Sequence, residues 1–243
     1  MTPYKSLLLA LLIAGLAACG DKPGAATGQP TLAEATAPKA VEAIRQEIVR
    51  TALPKADKAT PAASYLELSS GNQLMFAYLA LAGMPIDYAK VAADISPEYS
   101  RSSDEFRKND LLTALKPKID AAVAQAGAQR YVRIEVDSPI DKYDFEQKGF
   151  PLDSSIWEAG STRYFHDNAS YQLGFTNGTA FRYLKVPAED VARTIEGLRS
   201  KYEALHLVVY AFAQDADLSK KLVRAEIVKV DLVDKKGNVL ASQ

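Results

Sequence analysis

His166 and His206 are the only histidines in the chain, so any imidazole base has to be one of them. His166-Asp167 sits in a turn-rich stretch near Ser161 and Ser170. That brings together the residue types of a serine–histidine–carboxylate hydrolase, but adjacency in sequence does not supply the geometry. His206 interrupts an apolar run and reads as a sheet-surface or hydrogen-bonded core histidine. Asp137, Asp141, Asp144 and Glu146 lie close together, a donor set that suits a hard cation or acid–base work. They lack the EF-hand pattern and alternate with Lys142 and Lys148, so a solvated loop is the stronger reading and no metal or cofactor is assigned.

The third candidate is aromatic. Eleven of the 21 aromatic residues fall between Tyr131 and Tyr183, which concentrates contact area in one segment. Within it, Tyr143, Asp144 and Phe145 precede Gly149-Phe150-Pro151, with Trp157 just beyond. A positive φ at Gly149 and a stiff exit at Pro151 would clamp the two Phe rings around a turn. Tyr143, Asp144, Phe145, Phe150 and Trp157 are therefore the candidate binding surface, for a peptide, a glycan or an acyl chain. The competing reading is plain sheet core, where aromatics are favoured in any case. The chain has no GxSxG, HExxH, Walker A or GxGxxG motif.

The elements that must position these residues are legible from pattern. Gly71–Ala82 is apolar and rich in helix formers, with Gly83 and Pro85 to end it. Ile86–Ile95 reads as a second helix, and Ser96-Pro97-Glu98 starts a third. Ser102 and Glu105 have capping-box spacing before a stripe of Phe106, Leu112, Leu115, Ile119 and Val123, which Pro117 should kink or split. Alternation at Val132, Ile134 and Val136 predicts a half-buried strand. β-like runs follow at Thr162–His166, Tyr171–Thr176 and Thr179–Val186, and Asn177-Gly178 between the last two predicts a type I′ hairpin. After Pro187 comes a helix with Val191, Ile195, Leu198 and Tyr202 on one face. Leu205–Ala213 reads as a central strand, Leu222–Val233 as a long amphipathic one and Val239–Ala241 as a short last one. The expected fold class is α+β: N-terminal helices, then a mostly antiparallel sheet with one inserted helix.

Ahead of this domain lies an address. One Lys5 precedes an apolar run from Leu7 to Ala18, the size of a secretory hydrophobic region and too short for an ordinary spanning helix of about 20 residues. The run ends in Leu16-Ala17-Ala18-Cys19, which resembles the lipobox of bacterial lipoproteins. The resemblance implies a diacylglyceryl group on Cys19, cleavage after Ala18 and acylation of the new amino group. Several acyl chains hold a protein at a membrane where one holds it only marginally. Gly20 follows the cysteine and Asp21 comes one place later. By resemblance to Gram-negative lipoprotein sorting, this favours the outer membrane, with the domain facing the periplasm. The run from Tyr65 to Tyr99 and the Tyr143–Pro151 stretch resemble an uncharacterised family of bacterial envelope proteins, which brings no assigned activity.

The expected division is a signal peptide over 1–18, a lipidated Ala/Pro-rich tether over 19–63 and one α+β domain over 64–243. Val41, Ile44 and Ile48 allow a short helix in Lys39–Arg50. A single cysteine excludes an intrachain disulfide framework, a Cys-rich zinc site and a CxxC pair. A formal net charge of -1 gives no broad basic field, so nucleic acid is not an expected partner. The expected partners are the membrane, through the lipid, and an envelope protein or peptidoglycan. Three functions follow: a binding or scaffolding domain, an envelope hydrolase using His166 or the Asp141–Glu146 carboxylates, and a small-ligand or lipid carrier with an aromatic-lined pocket. The first is favoured.

Overall fold

Four of the helix starts among the described residues are set by short polar side chains. Ser70 accepts the Asn72 N–H at 3.1 Å and opens helix α1 (Gly71–Ala82), which Gly83 ends at φ 61°. Asp87 caps α2 (Tyr88–Ile95), and Ser96 caps α3 (Pro97–Arg101), with Pro97 in its first turn. The long helix α4 (Glu105–Ala128) is capped by Asp104, whose carboxylate accepts from the Phe106 and Arg107 N–H groups. Ser102 is not the cap; its hydroxyl donates to the Asp104 carbonyl instead. Pro117 does not split α4. Both Pro117 and Thr113, whose carbonyl loses its usual donor, are exposed, so water can take the donor's place.

The computed structural model describes residues 52–137, 140–152 and 155–243. Cys19, the signal-like run and the possible helix in Lys39–Arg50 lie outside them. Among the described residues no helix is long and apolar enough to cross a membrane.

The fold is α+β. Its main sheet has the order β1 (Leu66–Glu67), β2 (Tyr131–Val136), β6 (Leu205–Asp217), β7 (Leu222–Asp234) and β4 (Gln172–Phe175), with β8 (Val239–Ser242) also on β7. The β2–β6, β6–β7 and β7–β8 pairs are antiparallel; β1–β2 and β4–β7 are parallel. A separate ribbon pairs β3 (Gly149–Pro151) with β5 (Tyr183–Lys185). Helix α5 (Glu189–Ser200) joins β5 to β6, burying Ala192 and Ile195. Tyr202 is not on its inner face: it follows the helix at φ 56° and is 95% exposed.

In β2, Val132, Ile134 and Val136 point into the core while Arg133 and Glu135 face out. Helix α1 lies over β6 and β7, and α4 packs on α1 in turn. On the other face, the register aligns Tyr131 with Phe212 and Arg133 with Tyr210. Two bulges interrupt the β6–β7 ladder. Gln214 is the extra residue on β6, between Ala213 and Asp215, and Val228 is the extra one on β7, between Ile227 and Lys229.

Gln214 is buried and bonded on both sides of its amide. Its Oε1 accepts from Thr176 Oγ1 at 2.7 Å, and its Nε2 donates to the Pro54 carbonyl at 2.7 Å. The Ala56 N–H reaches Glu226 at 3.1 Å and the Asp57 N–H reaches Tyr131 Oη at 2.8 Å. Composition assigns residues 52–63 to the tether, yet Leu53 is buried and these bonds strap the segment to β2, β6 and β7.

The expected Asn177-Gly178 hairpin does not form. β4 pairs with β7 and β5 with β3, and Gly178 opens a 3-10 turn. Asn177 is used at long range: its amide accepts the Ile227 N–H at 2.8 Å and donates to the Ile227 carbonyl at 2.9 Å, imitating a strand partner. Gly178 sits where a Cβ would come within 3.1 Å of the Ile156 carbonyl. The Tyr143–Pro151 turn differs as well. Lys148 takes the positive φ, 50°, while Gly149 is needed for close approach, since its Cβ would lie 2.5 Å from the Leu184 carbonyl.

Candidate functional site

A cavity of about 550 Å³, open to solvent, forms around the Thr162–Asp167 segment. The expected strand there is reduced to one bridge: Arg163 exchanges both backbone hydrogen bonds with Leu173 at 2.8 Å. This fixes an extended run whose side chains Arg163, Tyr164, Phe165 and His166 line the cavity, with Ser69 and Ile156 opposite. The Arg163 guanidinium lies 5.8 Å from the Phe165 ring centre, and its Nε is buried without a partner among the described residues. His166 packs edge-on to Tyr164 at 5.6 Å and faces solvent.

Asp167 turns away from His166 onto the start of α1. Its carboxylate accepts from the Gly71 N–H and Ser70 Oγ, each at 2.7 Å, and from the Asn72 N–H at 3.3 Å. Burial opposes its ionisation, but the donors from Gly71, Ser70 and Asn72 prevail and hold the carboxyl below the usual carboxylate range. The next residue, Asn168, comes so close to Gly71 that a Cβ there would lie 2.5 Å from its carbonyl oxygen. The His166–Asn168 turn is thus a long-range helix cap. Among the described residues His166 has no hydrogen bond to a serine or a carboxylate, so no nucleophile–base–orienter chain is assembled.

His206 is satisfied on the sheet surface. It lies opposite Asp137, continuing the β2–β6 register, with Nδ1 2.8 Å from Asp137 Oδ1. The other carboxylates are spent on local turns. Asp141 accepts from the Lys142 N–H at 2.7 Å, and Asp144 accepts from the Glu146 and Gln147 N–H groups at 2.9 Å each. Glu146 is exposed. Among the described residues no three His, Cys, Asp or Glu side chains come together to hold a metal ion.

The aromatic candidates divide between core and solvent. Phe150 and Trp157 are 0% and 1% exposed, so neither belongs to a surface, and both fill the core that a lipid-sized pocket would need empty. Phe145 is 82% exposed. Tyr143 bridges the two environments, edge-on to Phe145 at 5.2 Å and to Phe150 at 5.1 Å, with its hydroxyl donating to the Val186 carbonyl at 3.0 Å. Asp144 is a turn former. Only Tyr143 and Phe145 of the five remain as apolar surface, on an edge distinct from the Thr162–Asp167 cavity lining.

Sequence reasoning missed Ser69 and Arg163. Arg163 carries a signal in hindsight: a cation inside a short aromatic run, Arg163-Tyr164-Phe165, is the composition of a recognition surface. The cavity offers one guanidinium, one imidazole, two aromatic rings and the Asp167 carboxylate that the start of α1 holds, a set that suits recognition of a polar group. Comparisons with protein-family models, curated proteins and solved structures find no match.

Proposed function

We propose that this chain is a lipoprotein of the bacterial envelope, anchored through acylated Cys19 in the outer membrane and facing the periplasm. In this reading the N-terminal helices and the sheet form a binding or scaffolding domain. The observation that carries the proposal is Leu16-Ala17-Ala18-Cys19 at the end of a short apolar run, in the order a lipobox requires. The lone cysteine then has a chemical role, as the thiol that receives the diacylglyceryl group. Binding is preferred to catalysis because His166 lacks a proton-relay partner among the described residues and Asp167 caps a helix. The partner is an envelope protein or peptidoglycan, met at the Arg163–His166 cavity.

Cys19→Ser followed by cell fractionation tests the anchor. The wild type should sediment with outer membranes and carry a lipid mass increment, while the variant should be soluble or remain unprocessed. Equal membrane retention of both, with no increment on the wild type, refutes it. A photo-crosslinker at Tyr164 should capture an envelope partner that Arg163→Gln loses; capture unchanged by that substitution places recognition elsewhere.

A further inference from the structure

A second cavity lies on the opposite face of the sheet, beneath the strap. It encloses about 180 Å³ and is lined by Lys58, Thr60, Tyr65, Tyr210, Val228 and Lys229. The strap forms its outer wall and is held on the near side by the Pro54, Ala56 and Asp57 bonds. The inner wall is a packed aromatic set: Tyr65 meets Tyr131 at 5.3 Å and Tyr210 at 5.1 Å, both edge-on.

Three features mark this as a formed site rather than a packing gap. Tyr65 and Tyr210 are only 7% and 8% exposed, and their hydroxyls bond to no described residue without being sealed from solvent, so both are open to a ligand. The β7 bulge inserts Val228 at this point, so Val228 and Lys229 both line the cavity although neighbours on a regular strand point to opposite faces. The lining also contains two lysines and no carboxylate. Lys229 is fixed by Asp231 at 2.8 Å and sits 4.4 Å from the Tyr210 ring centre. Asp57, the strap's own carboxylate, is turned to the Ala59 N–H at 2.9 Å. The polar groups of the lining are thus two phenols, the Thr60 hydroxyl and two ammonium groups, that of Lys229 already paired with Asp231. Ala62 and Val228 add a small apolar wall.

We propose that this cavity binds a small organic carboxylate, its oxygens received by Tyr65, Tyr210 and Lys58 and its short carbon body by Val228 and Ala62. The volume limits the ligand to a few carbons, since a water occupies about 30 Å³ in the liquid. The site is independent of the Arg163–His166 cavity and of the lipid anchor.

Amide NMR titration of the Cys19→Ser chain tests it, with lactate and succinate as probes and glycerol and matched sodium chloride as controls. Saturable shifts are expected at Thr60, Tyr65, Tyr210, Val228 and Lys229 with at least one carboxylate and with neither control. Tyr65→Phe and Lys58→Gln should each weaken binding about ten-fold or more, the loss of one hydrogen bond to a charged ligand. Lys90→Gln, on α2, should leave it unchanged. Neither test substitution removes a partner the fold uses, and spectra unchanged outside the cavity verify folding. No saturable shift beyond that of sodium chloride, shifts mapping elsewhere, equal response to glycerol, or binding insensitive to both substitutions each overturns the proposal.

Discussion

Replacing Asp167 by alanine separates a structural carboxylate from a catalytic one. The change removes acceptors from three donors, but unequally. The Asn72 N–H keeps Ser70 Oγ at 3.1 Å, and the exposed Ser70 hydroxyl can turn to water. The Gly71 N–H, on a buried residue, is left without an acceptor, and the helix start loses its negative charge. One unpaired amide and one charge–dipole contact, discounted for the exposure of the carboxylate, sum to about 1.5–2 kcal/mol. For a domain of this size that lowers the melting temperature by about 5 °C. Asp167→Asn keeps one acceptor for Gly71 and should lose about 2 °C, while His166→Ala should stay within about 1 °C of the wild type. The pH dependence has a fixed sign. The folded carboxyl titrates below its unfolded value, so its contribution is complete above the ordinary carboxylate range and fades as pH falls through the lower folded value. Melting followed by circular dichroism from pH 7 downward should show the wild type and the alanine variant converging in acid. An alanine variant as stable as the wild type at pH 7, or a gap that persists unchanged in acid, would refute the capping argument.

Gly149→Ala must push the Leu184 carbonyl from the β3–β5 ribbon and should cost about 2 kcal/mol or more, read as a lower urea midpoint with unchanged slope. Asn177→Ala leaves the Ile227 N–H and carbonyl unpaired and should cost about 2–3 kcal/mol by the same measurement. Phe150→Ala should cost about 3–5 kcal/mol, whereas Phe145→Ser should change the midpoint little, because only the first is buried. Trp157 is the single tryptophan, so native emission should be resistant to acrylamide and shift to the red on unfolding; ready quenching in the native state would contradict its burial.

Local signals in the sequence carried far. Gly83 ends α1, Val132, Ile134 and Val136 mark the inner face of β2, and the apolar run Leu205–Ala213 and the amphipathic run Leu222–Val233 become the central strands. The long-range pairings were not legible. Asn177-Gly178 has the composition of a hairpin turn, but the strands it separates pair with distant partners, and sequence does not weigh a turn against a better ladder. The bulge at Gln214 follows a run apolar on both faces and leaves no mark there, whereas the one at Val228 lies where the polar positions shift phase, from Arg224 and Glu226 to Lys229 and Asp231. At the candidate sites, composition identified the aromatic cluster without dividing it into Phe150 in the core and Phe145 in solvent. His166-Asp167 was visible as a pair, but the helix end that claims Asp167 lies 96 residues away.

The strap has a mechanical consequence. Tension entering from the N-terminal side, as it would in a domain pulled against an anchored leader, meets the Pro54–Gln214, Ala56–Glu226 and Asp57–Tyr131 bonds before it meets any strand. Each joins backbone to a single side chain, so each can yield alone at about 1 kcal/mol without loading the cooperative β6–β7 ladder. The segment would peel in steps, releasing several residues and uncovering Tyr65 and Tyr210 while the sheet stays closed. Under such load residues 53–62 would act as a fuse, spending slack before the fold bears it.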